Sequence, residues 1–83
     1  MDGKVYAAVT GGKSDKNIRY ADFQNLIVDL GFEFQHQDGS HRFYAHGKYP
    51  AVMNIQPDGS KAKGYQVRQL RALIKKYSLK EQK

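Results

Sequence analysis

Phe32-Glu33-Phe34-Gln35-His36-Gln37-Asp38-Gly39-Ser40-His41-Arg42-Phe43-Tyr44-Ala45-His46 is the stretch that decides the fold. Asp38-Gly39 sits between two short runs rich in aromatic residues, and glycine supplies the positive φ of a tight turn without steric cost. The spacing predicts one strand over Phe32 to Gln37, with Phe32 and Phe34 facing one way and Glu33 and Gln35 the other. A second strand covers His41 to His46, Gly47-Lys48-Tyr49-Pro50 reverses the chain, and a third strand covers Ala51 to Gln56. Pro57-Asp58-Gly59 then reads as a type I turn, with proline's fixed φ at the second position and glycine at the fourth.

Helical periods flank these strands. Phe23, Leu26, Ile27 and Leu30 fall at i, i+3, i+4 and i+7, Asp22 sits where the helix dipole favours an anion, and Gly31 ends the helix. Val67, Leu70, Leu73, Ile74 and Tyr77 make the buried stripe of a helix from about Tyr65 to Tyr77, and Arg68, Arg71 and Lys75 line another side. Residues 4 to 9 can form a short extra helix before Gly11-Gly12 breaks it, so 1–13 reads as that helix and a linker. The expected fold is α+β in the order α-β-β-β-α: a three-stranded antiparallel sheet with two helices on one face.

A chain of 83 residues with 40% apolar residues makes one domain with a single thin core. Zero cysteines remove disulfides, thiolate zinc sites and thiol nucleophiles together. No run approaches the ~18 apolar residues of a membrane span, and Met1-Asp2-Gly3-Lys4 leads into no apolar signal segment. The expectation is a soluble, unprocessed cytoplasmic protein. The formal charge of +6 is unevenly spread. Residues 59–83 hold Lys61, Lys63, Arg68, Arg71, Lys75, Lys76, Lys80 and Lys83 against Glu81 alone, whereas residues 21–40 hold Asp22, Asp29, Glu33 and Asp38 with no base. That asymmetry fits a nucleic-acid binder or a protein with an acidic partner, and equally a solvated basic helix.

His41 is the residue with chemistry, since imidazole exchanges a proton near neutral pH from an unperturbed pKa of about 6.5. Gly39 lets a phosphate approach the backbone, Ser40 offers a hydroxyl, and turn amides can form a small anion nest. Strand alternation puts Arg42 on the opposite face from His41 and puts His41 with Phe43, expected to be buried; a structural histidine at the core edge would look the same. His36 and His46 read as surface strand residues, and no metal or other cofactor is expected. Lys61 and Lys63 precede the last helix, where free amides favour an anion, so Lys61, Lys63, Arg68 and Arg71 read as phosphate contacts or as solubilising charge. Tyr44, Tyr49 and Tyr65 can stack on unpaired bases or serve the core.

Several pieces taken in order resemble the HicA toxin family: Ser14 to Tyr20, Leu30-Gly31-Phe32, Gly39-Ser40-His41, Asn54-Ile55-Gln56-Pro57, and Ala62-Lys63-Gly64-Tyr65-Gln66-Val67-Arg68-Gln69. The resemblance covers about residues 14–79. The resemblance implies a fold like a double-stranded RNA-binding domain, cleavage of mRNA without the ribosome, a catalytic histidine at the position of His41, and a cognate HicB antitoxin as partner. The chain departs from the family at Gly64, where proline is frequent, at Arg42, where histidine or an aliphatic residue is frequent, and at Asp58, where some members place histidine. Two rival readings stand beside it: a non-catalytic RNA-binding module, and an interaction domain for an acidic partner.

Overall fold

A computed structural model describes residues 1–82. It is α+β: two helices, a three-stranded antiparallel sheet, a small hairpin and a C-terminal helix. The N-terminal helix is longer than expected, with α1 spanning Gly3–Gly11 and capped by the Asp2 carboxylate, which accepts from the amides of Lys4 and Val5 at 2.9 and 3.3 Å. Val9 is fully buried, so α1 is part of the core rather than an appendage. The Arg71 guanidinium holds it there, donating to the Val9 carbonyl and, at 2.8 and 3.1 Å, to both carboxylate oxygens of Asp15.

Helix α2 (Tyr20–Asp29) buries Phe23, Leu26 and Ile27, and Leu30 just after it, as the apolar period predicts. Gly31 follows at φ +99°, and a Cβ there would come within 2.8 Å of His46 Nε2. Only glycine fits that conformation and that approach together.

Strands β1 (Phe32–Asp38), β2 (His41–His46) and β3 (Val52–Ile55) pair in the order β1-β2-β3. Phe32 opposes His46 and Phe34 opposes Tyr44, but His36 opposes Phe43, so Gln35 is an extra residue in a β-bulge. The bulge resets the alternation. Before it Phe32 and Phe34 share a face with Tyr44; after it His36 lies on the face of Phe43 and His41. Phe32, Tyr44, Met53 and Ile55 form the buried face, with α2 against β1 and the C-terminal helix against β3. The other face carries Val52, 71% exposed, with Asn54 opposite Phe43.

Three expectations are corrected here. Phe43 is half-buried on the open face, and Tyr44 takes the core position. His46 is buried, because Leu30 at the end of α2 needs a donor: Nε2–H donates to the Leu30 carbonyl at 2.8 Å, and Nδ1 accepts from the Lys48 amide at 3.0 Å. Pro57-Asp58-Gly59 is not a type I turn; Pro57–Asp58 (β4) pairs with Lys61–Ala62 (β5) around Gly59-Ser60. This hairpin is tied to the start of α2 by Ala62 N–H donating to Ile18 O and Tyr20 N–H to Ser60 O.

Helix α3 (Gly64–Tyr77) buries Val67, Leu70 and Ile74, while Leu73 and Tyr77 pack at the core edge. At about 1.5–3 kcal/mol for each fully buried aliphatic side chain, this stripe outweighs any intrinsic propensity of the helix. Gln66 is buried as well, its Oε1 accepting from the Gln56 amide at 3.0 Å. Among the described residues no helix is long and apolar enough to cross a membrane.

Candidate nucleic-acid interface

His41 begins β2 directly after a two-residue turn, with Asp38 paired to His41 across Gly39-Ser40. Gly39 has φ +61° and open space around its α-carbon, so the backbone conformation, not crowding, calls for glycine. Gln37 Nε2 donates to the Gly39 carbonyl at 2.9 Å, and Gln56 Nε2 donates to Ser40 Oγ at 3.0 Å. Because the Gln56 backbone N–H donates to Gln66 Oε1, the turn is tied through Gln56 to the first turn of α3.

The His41 ring is half-exposed on the open sheet face, with Nδ1 3.1 Å from Asn54 Oδ1. An amide oxygen only accepts, so this contact assigns the proton to Nδ1 and leaves the Nε2 lone pair free. Phe43 lies beside it, ring centroids 6.5 Å apart, and stacks on His36 at 4.3 Å and 12°. Sequence reasoning missed Asn54 as an orienting group; its signal was the register of two strands whose ends were already visible.

Arg42 is on the other face, as alternation predicts. Its guanidinium lies 4.6 Å from the Phe34 ring centroid and donates to Gln37 Oε1 and Tyr44 Oη. Tyr44 is core and does not present its face to a base, whereas Tyr49 and Tyr65 are exposed. Burial pushes the Tyr20 hydroxyl above the ordinary tyrosine range, with Tyr44 adding to the shift and Arg42 opposing it.

A second feature lies at the N-terminus of α3. Lys16, Lys61 and Lys63 line an open groove with Asp58, Ala62, Gly64 and Tyr65. Lys63 is the N-cap residue, and no side chain caps the helix. Lys61 Nζ donates to Asn17 Oδ1 at 3.0 Å. Arg68 is exposed one turn on, its NH1 3.7 Å from where a Cβ on Gly64 would lie. Local sequence gives Lys16 no role in this site; the pairing of Ile18 with Ala62 brings it to the groove. Arg71 is apart from this group, engaged with Asp15 and Val9, and it holds the Asp15 carboxyl below the usual carboxylate range. Among the described residues no three His, Cys, Asp or Glu side chains gather as metal ligands.

No family model, no curated protein and no solved structure matches this chain.

Proposed function

We propose that this protein is an endoribonuclease toxin of the HicA type, an mRNA interferase whose fold is that of a double-stranded RNA-binding domain with an added N-terminal helix. The observation that carries the reading is His41: an imidazole on an uncovered sheet face, its Nδ1–H held by Asn54 and its Nε2 free, in a chain that also carries a lysine-lined groove. The ordered motifs from Ser14 to Gln69 supply the choice of RNA as substrate.

In this reading Lys61, Lys63 and Arg68, joined by Lys16, hold phosphates, and the Gly39-Ser40 turn accepts the one next to the scissile bond. His41 Nε2 takes the proton of a ribose 2′-hydroxyl as its oxygen attacks the adjacent phosphorus. The P–O5′ bond breaks, leaving a 2′,3′-cyclic phosphate and a 5′-hydroxyl end that has received a proton. No metal takes part. A toxin of this kind works with a restraining partner, and a HicB-like antitoxin covering the His41 turn and the lysine groove fills that role.

Purified protein should fragment RNA in the presence of chelator, and His41→Ala should bind the same RNA without cutting it. RNA that is bound with a steep salt dependence yet stays intact with the unsubstituted protein would favour the non-catalytic module. Negligible RNA affinity would favour the domain for an acidic protein. Induced expression in a bacterium should arrest growth for the unsubstituted chain and not for His41→Ala.

A further inference from the structure

Cleavage by proton transfer needs an acid for the leaving oxygen as well as a base for the attacking one, and one histidine performs only one of those tasks in a single step. We propose that His36 is the second proton-transfer residue: its imidazolium protonates the departing 5′-oxygen while His41 accepts the 2′-hydroxyl proton. This rests on the nuclease reading above. The 2′-O–P bond forms, the P–O5′ bond breaks, one proton enters at His41 and one leaves from His36, so the step balances without a co-reactant.

The Gln35 bulge is the first argument. Strict alternation from Phe32 and Phe34 would send His36 to the core side; the extra residue brings it opposite Phe43, on the face that carries His41. The ring geometry is the second. His36 stacks on Phe43 at 4.3 Å and 12°, and His41 lies beside the same ring at 6.5 Å and 28°, so one aromatic side chain is flanked by two titratable rings on one patch. His36 is exposed, and beyond its stacking on Phe43 the ring makes no hydrogen bond or ion pair with the described residues.

Two other titratable side chains near the sheet are engaged in the interior. His46 has both ring nitrogens committed to backbone groups, and the Tyr20 hydroxyl is buried away from the open face. The titratable groups sharing this face with His36 are Glu33 and Asp38 from β1 and His41 from β2, while β3 brings uncharged Val52 and Asn54. All of them are retained when His36 alone is substituted, so a changed pH profile reports on His36.

The test uses His36→Gln and, to keep a flat ring on Phe43, His36→Phe. Two substrates are compared: ordinary RNA, and RNA with a 5′-bridging sulfur at the cleavage position, whose thiolate leaves without protonation. Both variants should cut ordinary RNA about 10²–10⁴-fold more slowly and lose the alkaline limb of the bell-shaped rate profile. Both should recover most of the unsubstituted rate on the sulfur substrate, where His41→Ala should not. Unchanged rate and profile on ordinary RNA, or an equal loss on both substrates, would overturn the role of His36 while leaving His41 in place. Intact RNA after incubation with the unsubstituted protein would overturn the nuclease reading and this assignment with it. Matching thermal melts of the variants and parent exclude a folding defect as the cause.

Discussion

Asp38-Gly39-Ser40-His41 and Asp58-Gly59-Ser60-Lys61 share three residues, and both close a two-residue turn with glycine at φ +61°. They differ in the strand each one opens and in the contacts that hold each in place. The first opens a six-residue central strand, and a side-chain amide, that of Gln56, pins its serine. The second opens a two-residue strand, and its serine carbonyl accepts from the Tyr20 amide at the start of α2. A turn of the same local chemistry therefore presents an imidazole on a rigid sheet in one place and an ammonium beside a helix terminus in the other. Proton transfer needs fixed geometry, while phosphate attraction tolerates a mobile side chain.

The largest expected contrast is in rate. His41→Ala should lower RNA cleavage by about 10²–10⁴-fold at unchanged affinity, whereas Lys61→Ala should keep the single-turnover rate at saturating RNA. Gel-resolved fragment yields read both, and equal rate losses would erase the division between the turns.

Next in size is the frame supporting both. Arg71→Ala removes the ion pair with Asp15 and the hold on the Val9 carbonyl, and should lower the midpoint of a denaturant melt more than any single surface-lysine substitution. The pair also sets an acid limit. Since Arg71 lowers the Asp15 pKa in the folded state, its stabilisation is complete above the pH where an unfolded aspartate ionises and is lost as pH falls through the lowered value. Asp15→Asn should be less stable at neutral pH and flatter in acid; an unchanged acid slope would remove that assignment.

Gly39→Ala and Gly59→Ala sharpen the comparison at smaller scale. Neither meets a steric neighbour, so each should cost about 1 kcal/mol through backbone conformation alone. The first should also reduce cleavage by moving His41, and the second should alter only binding. Smallest of all, Lys61→Ala and Lys63→Ala should each lower the slope of log affinity against log salt by about 0.7–0.9, measured by fluorescence titration with RNA. A slope that does not move would detach that lysine from the phosphate path.

Much of the fold was legible because periodicity reports burial. The α2 stripe, the strand limits around Gly39 and the end of α2 at Gly31 follow from residues at fixed intervals. The hidden part depends on contacts between distant segments. Alternation in β2 offers two nearly equal stripes, Phe43 with Ala45 or Tyr44 with His46, and only the pairing of Phe43 with Asn54 selects the open one. His46 is buried because the Leu30 carbonyl needs a donor, a demand that arises once α2 meets the sheet. The second hairpin looked like an isolated turn, although the repeated Asp-Gly-Ser was in plain view. Within the candidate site, the turn that carries His41 and the place of Lys61 and Lys63 before α3 were readable, while Asn54 and Lys16 arrive through pairing across the chain.

The bulged residue of β1 has a consequence of phase. In a strand of period two, a side chain's address is its odd or even count, and Gln35 advances that count by one half-cycle midway along the strand. Phe34 and His36 would otherwise share an address; with it they serve opposite sides of a layer one residue thick. A single extra residue is thus enough to let one short segment both bury Phe32 in the interior and set His36 on the exposed side.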